Sequence, residues 1–186
     1  MSKVAIKGAD TGTGVFTLES PATNTDRVLV LPDEAGTVLT TAGVPASAMP
    51  AGSVLQVVNV VYGTSMSTTS TTTVDTGLSA SITPTSASSK ILVLVNQTLT
   101  PTTSGSVTYG IVEVLRDSVI IVQDLRANNY VQYLHTVWSC CKLDSPATTS
   151  TITYKTKIAT GNAGFAIEAQ HASLRPSHIA LMEIAA

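Results

Sequence analysis

Ile152-Thr-Tyr-Lys-Thr-Lys-Ile158 decides the fold class of this chain. Ile152, Tyr154, Thr156 and Ile158 fall on one side of an extended backbone, and Thr153, Lys155 and Lys157 fall on the other. A period of two sends one set toward a core and the lysines toward water, which a helix of about 3.6 residues per turn cannot do. The same alternation returns where Phe165, Ile167 and Ala169 oppose Ala166, Glu168 and Gln170. Ile179-Ala-Leu-Met-Glu-Ile184 predicts an apolar strand near the C-terminal end.

Further strands are predicted over 54–61, 79–83, 90–99, 107–116, 118–124 and 133–142. Turn-prone segments separate them, among them Pro84-Thr-Ser-Ala-Ser-Ser89, Pro101-Thr-Thr-Ser-Gly105, Asp144-Ser-Pro146 and Gly161-Asn-Ala-Gly164. No segment carries a convincing amphipathic helix. Short strands with regular punctuation predict an all-β chain with a jelly-roll-like antiparallel β-sandwich over residues 51–186.

Residues 1–50 read differently. Gly14-Val-Phe-Thr-Leu18, Arg27-Val-Leu-Val-Leu31 and Thr37-Val-Leu-Thr-Thr41 are short strands around the turn Pro32-Asp-Glu-Ala-Gly36. About 40 residues rarely enclose a core without staples, so these strands are expected to intertwine with other copies as a stem. Gly43-Val-Pro-Ala-Ser-Ala-Met-Pro-Ala-Gly52, with two prolines and small residues, reads as the linker between stem and head.

Composition points the same way. Charged residues are 12% of the chain, against roughly 25% in an average soluble protein, while hydrophobic residues reach 44%. Such a surface favours association, and a homotrimer is the expected state. Membrane insertion is excluded by apolar runs such as Ile91–Val95 and Val119–Val122, far short of the ~18–20 residues of a helical span. The ten Lys and Arg are scattered and the net charge is −2, so no nucleic-acid partner is expected. Serine and threonine make roughly a quarter of the chain, which suits strands with hydroxyl-rich faces. The two cysteines, Cys140 and Cys141, are adjacent; a disulfide between them would strain the peptide, so two thiols on opposite faces of a strand are expected. That predicts synthesis in a reducing cytoplasm, and the N-terminus has no apolar core of a signal peptide.

Chemistry-bearing motifs are few. Asp-Thr-Gly occurs at Asp10-Thr11-Gly12 and at Asp75-Thr76-Gly77, the tripeptide with which aspartic proteases pair two carboxylates around one proton. Here Leu78 stands where that family has a small residue, and the second copy follows a threonine run rather than a buried strand. An aspartic-type hydrolase is the remote alternative; a common turn is the plainer reading. His135, His171 and His178 lack metal-ligand spacing; a trimer could gather three copies of one at its axis, but surface or interface histidines are the simpler expectation. Gly12-Thr-Gly14 lacks the third glycine and the helix of a phosphate cradle. No nucleophile has a legible base and orienter, so neither catalytic residue, cofactor nor metal is expected and the chain is read as a non-enzyme.

Taken together, several segments resemble phage proteins. They are Gly14–Leu18, Pro21–Thr25, Arg27-Val-Leu-Val-Leu-Pro-Asp-Glu-Ala-Gly-Thr-Val-Leu-Thr-Thr41, Gly52–Val58, Val74-Asp-Thr-Gly-Leu-Ser-Ala-Ser-Ile-Thr-Pro84, Ser88–Val95, Leu143–Pro146 and Tyr154-Lys155. The family is the tail- and head-fibre proteins of cyanophages and other marine phages. The resemblance implies homotrimers, a β head like the tumour-necrosis-factor or C1q jelly roll, and a chain made in the host bacterial cytoplasm and carried on the virion surface. It implies docking on another phage structural protein through the N-terminal end, with Val4, Ile6, Val15, Phe16 and Leu18 as the candidate anchor segment. A host-surface glycan or protein would then meet loops at one end of the head. Asn128, Asn129 and Tyr130 are the candidate contact, since amides and an aromatic face suit sugars; a tight turn is the alternative. A capsid decoration or cement trimer that stabilises the shell competes with the fibre reading.

Overall fold

The computed structural model describes residues 46–102, 108–128, 135–170 and 175–186, together with Thr11, Thr13 and Val44. The chain divides into two units, Met1–Val38 and Leu39–Ala186, and the described elements all belong to the second. The expected stem strands, and the anchor residues Val4, Ile6, Val15, Phe16 and Leu18, lie outside the described residues.

Among the described residues, a short 3-10 turn at Ala46–Ala48 precedes ten strands: β1 Val54–Tyr62, β2 Met66–Thr68, β3 Val74–Ile82, β4 Lys90–Pro101, β5 Thr108–Arg116, β6 Val119–Asn128, β7 Thr136–Asp144, β8 Ile152–Thr160, β9 Ile167–Ala169 and β10 Ser177–Ile184. One sheet runs β1–β10–β4–β7, with β9 beside β4 beyond β10 and β2 beside β9. The other runs β3–β8–β5–β6. Every pairing is antiparallel. Setting aside the three-residue strands β2 and β9, the first long strand pairs with the last and the second with the next to last. That nesting is the double Greek key of a jelly roll.

The core lies between the sheets and follows the alternation of the sequence. Ile91, Val93 and Val95 of β4 meet Val112 and Val114 of β5 and Ile152, Tyr154 and Ile158 of β8. Tyr154, Ile158, Val112 and Val93 have no exposed surface. At about 25 cal/mol per Å² of apolar area removed from water, this interior supplies the main driving force for the head.

Local chemistry sets the strand ends. Asp117, with φ of 52°, turns β5 into β6, and its carboxylate accepts the Thr153 backbone N–H at 2.9 Å. Gly52, with φ of 87°, brings the chain into the sandwich, where its N–H donates to the Ala185 carbonyl at 2.8 Å.

The predicted strands form with shifted ends. β4 extends through Pro101, which pairs with Ile167 instead of opening the turn. β9 starts at Ile167, two residues after Phe165. β2 carried too few alternating residues to be read. The largest correction is at Asp75-Thr76-Gly77, which lies inside β3 rather than in a loop after the threonine run. An irregularity between Asp75 and Ser79 absorbs it, because Gly77 takes φ of 84° while the strand stays paired to β8.

Candidate functional site

One set of polar side chains in the interior is bonded together. Thr156 Oγ1 donates to Gln97 Oε1 at 2.8 Å across the two sheets. Its single proton is thereby used, so the Thr76 hydroxyl is the donor in its 2.6 Å contact with Thr156 Oγ1. Gln97 Nε2 donates to Ser177 Oγ at 2.9 Å. The orientation of the Gln170 amide that satisfies its neighbours turns its oxygen to Gln97 Nε2 at 2.9 Å and its nitrogen to the Ala169 and Thr76 carbonyls. Gln97, Thr156, Gln170 and Ser177 have no exposed surface. This set braces the sandwich and offers no substrate a free group.

A second brace closes one end. Asp144 Oδ2 accepts from Arg116 at 2.8 Å and from the Tyr154 hydroxyl at 2.7 Å, joining β5, β7 and β8. Burial and then the hydrogen bond to Asp144 hold the Tyr154 phenol well above its ordinary pKa of 10.0. A third brace surrounds Glu183, whose carboxylate accepts from Gln56 Nε2 at 2.6 Å and from the Thr85 amide and hydroxyl at 2.7 and 2.8 Å. Burial alone would raise its pKa, but these donors win and hold it below 4.5. The buried Ser89 hydroxyl adds to that field without reaching the geometry of a full hydrogen bond.

The residues singled out in the sequence do not converge. Asp75 is exposed and pairs with Lys155 Nζ at 3.1 Å, while Asp10 lies outside the described residues. His135 Nδ1 is 2.7 Å from Thr100 Oγ1, His178 is exposed on β10, and His171 is outside the described residues. Among the described residues, no three His, Cys, Asp or Glu side chains stand together as metal ligands. Asn128 ends β6, opposite Thr108; its side chain, and all of Asn129 and Tyr130, lie outside the described residues. Cys140 and Cys141 are free thiols on opposite faces of β7, as the adjacent spacing predicted. Cys140 packs against the core, and burial followed by the neighbouring Cys141 raises its pKa to about 11.

What the sequence reading missed is the outward face of the β1–β10–β4–β7 sheet. Strand register places Val57, Met182, Leu92 and Leu143 in one row, and Asn59, Ala180, Leu94 and Cys141 in the next. Val61, His178, Asn96 and Ser139 form a third row. None of these positions is Asp, Glu, Lys or Arg. Val57 is 57% exposed, Val61 53% and Leu143 54%. A shallow groove of about 370 Å³ runs along Leu94, Asn96, Ser139 and Cys141. The outward positions of the other sheet include Asp75, Glu113, Lys155 and Lys157, bonded or paired in register. One outer face carries paired charges, and the other has three successive rows without one.

No protein-family model matches this chain, and no curated protein does. Among solved structures, it is similar to chains of infectious bursal disease virus particles. The T13 viral particle is 14% identical, with a TM-score of 0.42 over 70% of this chain and 36% of that one. The VP2 subviral particle is 14% identical, with a TM-score of 0.38 over 70% of this chain and 38% of that one. The chain thus spans well under half the length of the chains it matches. The expected likeness to marine-phage fibre proteins with a tumour-necrosis-factor or C1q head is corrected here: the similar structures are viral particles and VP2, not fibres. No residue role crosses with a likeness this distant.

Proposed function

We propose that this chain is a non-enzymatic structural protein of a virus particle, a capsid-type or capsid-decorating module that works by assembly. The contrast between the two outer faces carries the reading. A sandwich that stood alone in water would have charged positions across both faces, and this one leaves three successive rows of one face without a charge, with Lys90 only at its end. The buried polar groups support it, because the bonds of Gln97, Asp144 and Glu183 are spent on bracing the sheets. The viral setting rests on analogy at the level of architecture, since jelly rolls recur in capsid proteins.

Purified particles test the proposal. Mass spectrometry is expected to find the chain in them, and immunogold labelling is expected to place it on the shell surface. A chain made during infection but absent from washed particles would overturn the reading.

A further inference from the structure

Three features of the head invite a further role. The hollow of about 350 Å³ beside Thr85, Ser86 and Ser88 is lined by hydroxyls that bond each other or Glu183, apart from buried Ser89, whose hydroxyl makes no full hydrogen bond and acts on Glu183. The Asp144, Arg116 and Tyr154 cluster is closed on itself. The outer face of the β1–β10–β4–β7 sheet, with three rows free of Asp, Glu, Lys and Arg, is the third.

We propose that a second copy of this chain docks on that face, so that the Leu92 and Leu94 rows lie at a homotypic seam. The proposal rests on the assembly reading above and names its partner.

Charge argues for a copy of the chain itself. An interface between identical faces sets each patch against its own kind, so any charge near its centre meets a like charge. A face that keeps Asp, Glu, Lys and Arg out of all three rows is neutral toward itself. Lys90 stands at one end of the face, with its Nζ 2.9 Å from Ser145 Oγ. His178 and Asn96, with Ser139 donating to Asn96 at 2.7 Å, form a polar row beside the apolar ones. An apolar centre with a polar rim is the anatomy of a protein interface.

Area argues for one partner of similar size. Four strands about 4.8 Å apart, each about nine residues long at about 3.3 Å per residue, give a flat footprint of ~600 Å². Side-chain relief raises the accessible area above that, toward the ~800 Å² per partner of a standard interface. The groove along Leu94 and Cys141 gives side chains of the facing copy a place to seat.

Cys141 is the probe. It is exposed in the single chain and lies in the second row, whereas Cys140 is half-buried with a pKa raised to about 11 and reacts slowly. The full-length chain is treated with N-ethylmaleimide at neutral pH over a range of protein concentrations, and Cys141 modification is followed by mass spectrometry. We expect Cys141 to be protected at high concentration and to become reactive on dilution. The Val57→Lys/Leu143→Lys variant is expected to react at least ~10-fold faster at high concentration, since lysines facing each other across a dry seam are strongly disfavoured. Ser79→Lys, on the outward side of β3, is expected to leave the protection intact. Circular dichroism and thermal melting verify that each variant is folded.

Modification that is equally fast in wild type and the double variant overturns the proposal. Protection that does not change with concentration does so too, because the cover would then come from within the chain. Either outcome leaves the particle proposal standing if the chain is found in virions, and absence from virions leaves the seam standing if Cys141 is protected.

Discussion

Thr156 and Gln97 meet in the middle of the sandwich, hydroxyl to amide oxygen at 2.8 Å, and neither has any surface in contact with water. The bond runs from β8 in one sheet to β4 in the other. It anchors a network in which Thr76, Ser177 and Gln170 each have a partner. Satisfied in this way, buried polar groups fix how the sheets register; left half-satisfied, they would destabilise them.

Thr156→Val keeps the volume and removes the hydroxyl, leaving Gln97 Oε1 without its donor and Thr76 without its acceptor on Thr156 Oγ1. The expected loss is about 1–3 kcal/mol of unfolding free energy. Urea denaturation checks it, and a double-mutant cycle with Gln97→Met should depart from additivity by more than about 0.5 kcal/mol.

Tyr154→Phe removes a donor to Asp144 and leaves that carboxylate to Arg116 alone, with an expected loss of about 1–3 kcal/mol. The folded phenol has a raised pKa, so its contribution to stability is complete below 10.0 and is lost as pH climbs beyond that value. Ultraviolet difference spectroscopy should find one tyrosine that ionises only as the head unfolds. In the Phe variant, that late-ionising signal should vanish.

Glu183 gives the opposite pH dependence. Its folded pKa lies below 4.5, so the stabilisation is complete above 4.5 and is lost as pH falls through the folded value. Glu183→Gln should flatten the acid limb of a melting-temperature profile. It should also lower stability near neutrality, because the carboxylate's acceptance of Gln56 and Thr85 is disrupted.

Gly77→Ala should destabilise the head by about 1–3 kcal/mol, because φ of 84° disfavours any Cβ. The added carbon would also lie 2.6 Å from the Tyr62 ring, which packs on the core. Thermal melts measure the loss, and Gly52→Ala is the comparison, with the same backbone strain and open space around its Cβ.

Much of the architecture was legible in single residues. The alternation at Ile152–Ile158 predicted a strand with Tyr154 and Ile158 inward, and both are fully buried. The adjacency of Cys140 and Cys141 predicted thiols on opposite faces, because the pleat permits nothing else. The candidate site was less legible. Gln97 and Glu183 look like surface residues in sequence, and only their long-range partners, Thr156 and Thr85, make them interior. The outer face did leave one signal: in Ile91-Leu-Val-Leu-Val95 both parities are apolar, so both faces of β4 ask to be covered.

Local periodicity alone therefore determined that the head is all-β, which side chains of β8 turn inward, and that the cysteines are divided between faces. It could do so because side-chain direction in a strand depends on neighbours one residue away. Only the tertiary structure decided that β1 lies beside β10 and β4 beside β7, since those pairings join residues from 37 (Leu99 and Thr136) to 130 (Val54 and Ile184) positions apart. That arrangement lines up Val57, Met182, Leu92 and Leu143 into one apolar row, and no window of sequence contains all four.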